Sequence, residues 1–306
     1  MSVQTIKLNN GVRIPEIGLG TWKAHETGVL YETVRDAIAL GYRHIDCAKV
    51  YGNQREVGRA LRDANVPRKD LFVTSKIFQN KHRPELVPGA LDEILEELGL
   101  EYLDLLLMHW PFAVRPEQDT VAYTAAELEN VPIMDTWKAM EALVDSGKVR
   151  AIGVSNFNMA ILKKMLPQCR ITPAINQIEV HPYNQEHDLI AFCHLKEIIV
   201  TAYSPLGGDG ETNVVNDPVI QEIAKANNCS PAQVTISWLL ARGVTAIPKT
   251  TNRDRLKQNL TQVVMSLDEQ QRIGQITKTA RNVNPGNRIE QLQWLFGGDQ
   301  FECPLI

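Results

Sequence analysis

Eight short apolar runs alternate with segments of helical periodicity along almost the whole chain, and this alternation restricts the fold more than any other feature. The runs cover 17–20, 42–47, 71–76, 103–109, 150–154, 174–178, 199–203 and 245–247. Helices are expected over 28–40, 55–64, 84–98, 134–146, 159–166, 186–195, 218–226, 231–241 and 253–260. Strands that alternate with helices pair in parallel through right-handed crossovers. Eight such units fit an α/β fold of the closed (β/α)₈ TIM-barrel type, with an open doubly wound sheet as the competing arrangement. Ahead of them, 5–8 and 12–15 flank Asn9-Asn10-Gly11 and read as a β-hairpin, because Asn-Gly tolerates the positive φ such turns need. No linker rich in Pro, Gly or Ser divides the 306 residues, so one domain over 1–306 is expected.

The bulk properties exclude several classes of function. A formal net charge of −4 gives no general attraction to nucleic acid or to an anionic membrane. No stretch reaches transmembrane length, and the start Met1-Ser2-Val3-Gln4-Thr5 lacks a basic segment followed by an apolar one. Cys47, Cys169, Cys193, Cys229 and Cys303 are odd in number and scattered, which favours reduced thiols over a disulfide framework or a zinc site. A cytoplasmic protein without a metal is expected.

Four polar residues stand at or just beyond the ends of three of the runs: Asp46, Tyr51, Lys76 and His109. In a parallel barrel, neighbouring strand ends share one mouth. A free phenol has a pKa of about 10, too high for an easily poised acid. An ammonium at Lys76 is expected to lower that of Tyr51, with Asp46 holding the lysine charged. His109 would bond a substrate carbonyl oxygen or relay a proton. Such a set suits protonation of an oxygen while a redox cofactor delivers hydride to its carbon.

Gly18-Leu19-Gly20 is followed by Thr21-Trp22-Lys23, so the Gly-x-Gly-x-x-Gly fingerprint is missing and a Rossmann site is not supported. The stronger anion candidate is 247–255, after the eighth run and at the start of a helix, where barrels frequently bind phosphate. Lys249 supplies charge there, and Arg255 a planar fork suited to phosphate. Ser155, Asn156 and Gln177 offer hydrogen bonds for the edge of an amide ring such as nicotinamide, and Tyr203 a flat partner for its face. Three segments interrupt the rhythm and are candidate functional loops: 112–132, 207–216 and the tail 281–306, which holds Trp294, Phe296 and Phe301.

Taken together, these stretches resemble the aldo-keto reductase superfamily nearly end to end. Matching segments include Gly18-Leu19-Gly20-Thr21-Trp22, Gly41-Tyr42-Arg43-His44-Ile45-Asp46, Thr74-Ser75-Lys76 and His109-Trp110-Pro111. Gly153-Val154-Ser155-Asn156-Phe157, Asn176-Gln177, Tyr203-Ser204-Pro205-Leu206-Gly207 and Ile247-Pro248-Lys249 complete the set. The likeness is greatest to the monomeric aldose, xylose and glycerol or glyceraldehyde reductases, particularly fungal ones. It implies a barrel with a hairpin across its bottom, a C-terminal loop over the pocket, NADPH extended across the top and no metal. It also implies a monomer acting on a small-molecule carbonyl substrate.

By the same resemblance Tyr51 is the general acid, tuned by Lys76 and Asp46, while His109 orients the carbonyl. Gly20, Thr21 and Trp22 border the cofactor. Ser155, Asn156 and Gln177 hold its carboxamide, Tyr203 stacks on its ring, and Ser204 and Leu206 line the pyrophosphate. Lys249, Thr250, Asn252 and Arg255 meet the 2′-phosphate, with Gln258 and Asn259 near the adenine. Trp22, Phe78, His109, Trp110 and Trp294 form the substrate pocket. Phe78 stands where many relatives have tryptophan, Gln54 where the motif usually has Glu, and Thr250 where serine is common. Two other readings stay open: a nucleotide-binding barrel without catalysis, and a lyase using Lys76 as a Schiff base.

Overall fold

The computed structural model describes residues 4–23, 28–208 and 210–296. The strands in chain order are β1 (Thr5–Lys7), β2 (Arg13–Pro15), β3 (Leu19–Gly20), β4 (His44–Asp46), β5 (Phe72–Ile77) and β6 (Leu105–Met108). They continue as β7 (Ala113–Val114), β8 (Leu128–Glu129), β9 (Ile152–Ser155), β10 (Ile175–Glu179), β11 (Ile199–Tyr203) and β12 (Val244–Ala246). Eight of them form one parallel sheet in the order β12-β11-β10-β9-β6-β5-β4-β3. Its two edges meet through a parallel bridge between Ile17 and Ala246, closing the barrel. Hydrogen bonds from Gly18 N to Ala246 O (2.9 Å), Ala246 N to Glu16 O (2.8 Å) and Gly20 N to Pro248 O (3.1 Å) make the seam. The (β/α)₈ barrel is therefore the fold, and the open sheet is excluded by this closure.

The outer layer comprises α1 (Val29–Leu40), α2 (Gln54–Asp63), α3 (Val87–Leu98), α4 (Ile133–Asp145), α5 (Met159–Met165), α6 (His187–Leu195), α7 (Pro218–Ala226), α8 (Pro231–Ala241) and α9 (Arg253–Asn259). Their inner faces carry Val34, Ile38, Leu91, Ile94, Trp137, Met140, Leu162, Ile220 and Trp238, all buried in one cluster against the sheet. The first turn expected of the helix at 84–98 is instead a 3₁₀ turn, Pro84–Leu86.

Two elements were not anticipated. Residues 112–132 contain a two-stranded ribbon, Ala113↔Glu129 and Val114↔Leu128. A tenth helix, α10 (Leu267–Gly274), starts at a capping box in which Ser266 and Glu269 satisfy each other's backbone N–H groups.

The hairpin of β1 and β2 plugs the N-terminal end of the barrel. Its Leu8 and Ile14 join a second buried cluster with Phe72, Leu105, Leu107, Ala151, Ala174 and Ile175. Asn9 and Asn10 donate to the carbonyls of Pro173 (3.1 Å) and Arg150 (2.9 Å), fastening the turn to that rim. With the bottom sealed by apolar residues, the C-terminal mouth is left for polar side chains.

Closure also explains Gly20. A Cβ there would stand 2.8 Å from the carbonyl oxygen of Ile247, backbone that cannot swing aside. Gly20→Ala is expected to lower stability by about 1–3 kcal/mol, the usual cost of overpacking. A urea midpoint identical to that of the parent chain would contradict this.

Candidate active site

The fold delivers the four residues to one place because each follows the same strand geometry. Asp46 ends β4, Lys76 is the fifth residue of β5, His109 follows β6, and Tyr51 sits in the 3₁₀ turn Lys49–Tyr51 beyond β4. Lys76 and Asp46 are each 1 % exposed. The ammonium Nζ donates to Asp46 Oδ1 (2.5 Å) and to the Cys47 carbonyl (2.8 Å). The other carboxylate oxygen, Oδ2, accepts from Gln177 Nε2 across the barrel (2.7 Å). Thr21 Oγ1 donates to the Asp46 carbonyl (2.9 Å), and Asn53 Nδ2 to that of Thr21 (2.9 Å), so the end of β3 is bound into the same network.

Tyr51 lies over this pair. Lys76 Nζ is 5.3 Å from the centroid of its ring, within cation–π range. Its ring is 4.8 Å from that of Trp22 and 6.1 Å, edge-on, from that of His109. Burial, followed by the nearby charges of Asp46 and Cys47, pushes the phenol well above its ordinary range. The expectation that Lys76 would lower it is not met here. The ammonium is committed to Asp46 and Cys47, and desolvation of the phenolate outweighs its attraction. Tyr51 is thus held protonated, as a donor must be.

His109 is pushed well below an ordinary imidazole by burial, then by Lys76 and His82. It is therefore neutral at physiological pH. Its Nδ1 is buried without a hydrogen-bond partner among the described residues. Its backbone carbonyl accepts from Asn156 Nδ2 (3.0 Å).

A second network runs around the rim from β9 to β11. Ser155 Oγ donates to the Gln177 carbonyl (2.8 Å), and Asn156 Nδ2 to Ser155 Oγ (3.1 Å). Tyr203 OH donates to Asn156 Oδ1 (2.7 Å). Both amide hydrogens of Asn156 are thereby engaged, while its oxygen retains a lone pair. Asn156 (φ 64) and Ser204 (φ 46) both adopt the left-handed conformation, one residue past the ends of β9 and β11. Such strain in non-glycine residues concentrates at functional sites.

The basic cluster follows β12, the strand next to β11, where Gly20 N bonds the Pro248 carbonyl (3.1 Å). Lys249 and Arg255 are exposed, and neither has an ion-pair partner among the described residues. Asn252 caps α9 by accepting from Arg255 N (3.0 Å), and Thr250 Oγ1 accepts from Asn252 N (3.1 Å). Gln258 is exposed and Asn259 buried, and Tyr42 OH fixes the helix by donating to the Leu256 carbonyl (3.0 Å). Leu206 is half-buried against the core.

Of the expected pocket residues, Trp22 joins Tyr51 directly, and Trp110 is buried beside Phe112 (5.9 Å) and Phe296 (6.2 Å). Phe78 and Trp294 are buried, and neither stacks on the rings of Tyr51, Trp22 or His109 among the described residues. Phe301 lies outside the described residues. Gln54 also finds its reason. Its amide donates to Glu97 Oε2 (2.9 Å) while its oxygen accepts from Ser75 Oγ (2.5 Å), a double role that a glutamate could not fill. The bond from Gln177 to Asp46 was not foreseen, because it joins strands on opposite sides of the barrel.

The model of the Aldo/keto reductase family matches residues 16–280. An aldo/keto reductase of Synechocystis is 44% identical over 279 residues, 85% of this chain and 84% of the relative. The glycerol 2-dehydrogenase (NADP(+)) of Saccharomyces cerevisiae is 42% identical over 291 residues, covering 90% and 92%. The crystal structure of a Bombyx mori aldo-keto reductase in complex with NADP superposes with a TM-score of 0.86 at 35% identity, covering 94% of this chain and 97% of that one. With the family model matched over residues 16–280 and relatives above 40% identity over most of their length, this chain belongs to the aldo/keto reductase family of oxidoreductases.

Proposed function

We propose that this protein reduces the carbonyl of aldehydes (aldoses, glyceraldehyde or similar) and of small ketones to alcohols, with Tyr51 as the proton donor. The observation that carries this reading is the buried Lys76–Asp46 pair beneath the Tyr51 ring, with neutral His109 edge-on to it. The cofactor is NADP(H), which supplies the hydride when bound. At the substrate oxygen, Tyr51 Oη gives up the proton, and the His109 imidazole donates a hydrogen bond that orients the carbonyl. Asp46 and Lys76 fix the position of the phenol. Trp22 and Trp110 exclude water with apolar rings.

The donor set fits the nucleotide. Gln177, Ser155 and the free lone pair of Asn156 would hold its carboxamide, and Tyr203 its ring. Ser204 and Leu206 would line the pyrophosphate path, with Gly20, Thr21 and Trp22 at its border. Lys249 and Arg255, without ion-pair partners among the described residues, would meet the 2′-phosphate together with Thr250 and Asn252, and Gln258 and Asn259 the adenine. Basic groups set out for an extra phosphate gain little from a cofactor lacking it, hence a preference for NADPH over NADH.

A lyase reading is weakened by Lys76 itself. An ammonium donating to a buried carboxylate is not the free amine that a Schiff base requires. Within the family we place the chain with the aldose, xylose and glycerol reductases, particularly those of fungi. The yeast relative supports this, although the cyanobacterial one is as similar. A cytoplasmic monomer is the accompanying proposal. The cytoplasmic part is supported by four unpaired cysteines among the described residues, Cys303 lying outside them.

Three outcomes follow from these assignments. Tyr51→Phe should lower kcat by about 10²–10⁴-fold, the usual worth of general acid catalysis, with NADPH affinity nearly unchanged; a fully active variant would refute the donor. Because His109 is depressed below 6.5, its neutral form holds across physiological pH. The kcat/KM profile for reduction should then stay level from about pH 6 to about pH 8, without the step near 6.5 of a solvated imidazole. Arg255→Ala should raise the Kd for NADPH about tenfold or more, as loss of a charge-assisted bond does, and that for NADH far less. Equal changes for both cofactors would remove the 2′-phosphate assignment.

A further inference from the structure

Glu179 is fully buried at the end of β10, two residues beyond Gln177, and takes no part in the chemistry above. Its Oε1 accepts from Asn282 N (2.7 Å) and from His181 Nε2 (2.8 Å), and its Oε2 from Val283 N (2.9 Å). His181 Nδ1 accepts from Tyr183 N (3.3 Å), which leaves Nε2 as the protonated nitrogen that faces Glu179. Burial alone would raise the carboxyl's pKa. The bonds from His181 and from the two backbone N–H groups outweigh it, and Glu179 is held below its ordinary range. A buried charge of this kind persists only while its donors stay in place.

Those donors belong to the segment that runs to the pocket. Ala280 N donates to the Tyr183 carbonyl (2.9 Å), just before the two residues that Glu179 grips. Thr212 Oγ1 donates to Asn282 Oδ1 and accepts from Gly208 N (3.1 Å), so the loop after β11 is tied to the same point. Arg281 pairs with Glu186 and lies 4.1 Å from the centroid of the Phe296 ring. The segment then passes through the 3₁₀ turns Pro285–Asn287 and Glu290–Leu295. Asn158 Nδ2 holds the carbonyls of Trp294 and Leu295 (both 3.2 Å). Phe296 finally meets Trp110, the neighbour of His109, edge-on at 6.2 Å.

We propose that Glu179 is a positioning residue: its buried carboxylate mounts the strap 281–296 and thereby sets the wall that Trp294 and Phe296 present to bulky substrates. This rests on the reading of the pocket as a carbonyl site. The strap is fastened at its base by Glu179 and at its far end by Asn158. Loss of the base lets the wall drift, while the Lys76–Asp46–Gln177 network stays intact because Gln177, although it shares β10 with Glu179, is bonded across the barrel to Asp46. Small aldehydes, which touch only Tyr51 and His109, are indifferent to the wall.

Glu179→Gln keeps the size of the side chain but replaces one acceptor oxygen with a donor that opposes a backbone N–H. Two measurements on the variant and its parent test the idea. In the ligand-free protein, hydrogen exchange at the amides of Asn282 and Val283 should speed up about tenfold or more, as loss of a buried charged acceptor does. In steady state, KM for a bulky aromatic aldehyde such as 4-nitrobenzaldehyde should rise about tenfold. The KM for propanal, and kcat for both aldehydes, should stay within about twofold. Should Glu179→Gln not fold, Arg281→Ala, which frees Phe296 and Glu186 at half-buried positions, should give the same KM split. Unchanged exchange overturns the anchor. Faster exchange with equal effects on both aldehydes, or on kcat, overturns the positioning role. A parent chain that reduces neither aldehyde refutes the carbonyl reading, and the exchange rates then decide the anchor separately.

Discussion

The bond between Lys76 and Asp46 is the contact on which the mouth of this barrel depends. Both residues are withdrawn from water, an arrangement tolerated only when every remaining donor and acceptor is also placed. Here the ammonium has the Cys47 carbonyl as a second acceptor, and the carboxylate has the Gln177 amide as a second donor. Removing either partner would leave an uncompensated buried charge at a cost of about 3–5 kcal/mol. Three strands, β4, β5 and β10, are therefore held in register at their C-terminal ends by side chains as well as by the sheet. Tyr51 and His109 owe their protonation states first to burial at this packed mouth and then to the charges of Asp46 and Lys76. The phenol stays protonated and the imidazole neutral, so both can donate to one oxygen.

Much of this was legible in the residues. A carboxylate, an ammonium and an imidazole at the ends of apolar runs are out of place in a sheet that is merely buried, and the parallel barrel brings such ends together. The hairpin was legible from Asn10-Gly11, and Gly11 does adopt positive φ (87°). What escaped depends on distance in space or on solvent. Gln177 and Asp46 are 131 residues apart, and no local spacing records their bond. The ribbon of β7 and β8 has two residues per strand, too few for a period to show. Helix α10 is largely polar with an exposed Leu267, although Ser266 and Glu269 marked its start. The direction of the Tyr51 shift is set by desolvation, which is a property of the packed mouth and of no residue alone. Glu179 left one trace that could have been used: a charge lodged between Ile178 and Val180 in an apolar run.

The site divides into parts with different physics. Lys76 and Asp46 are buried with their charged atoms hydrogen-bonded, and removal of one partner leaves a polar group stranded. At the start of α9 the basic groups are exposed, so the attraction that the proposed reading gives them for a phosphate is one that salt would weaken. Between the two, Asn156 and Ser204 hold strained backbone where β9 and β11 reach the rim. The strap adds a fourth regime, with a buried carboxylate clamping a segment otherwise made of short 3₁₀ turns. On the proposed reading, chemistry, cofactor choice and pocket shape fall to separate elements of one scaffold. Such separation lets loops alter specificity while the strand ends stay fixed.

The most direct test is the consumption of NADPH, and separately of NADH, followed by absorbance against a panel of aldehydes and ketones that includes glyceraldehyde and xylose. The expected result is turnover of at least one aldehyde with a clear preference for NADPH. NADPH that quenches the tryptophan fluorescence of the protein, yet is oxidised by no member of the panel, would contradict the assignment of Tyr51 and His109 to carbonyl reduction.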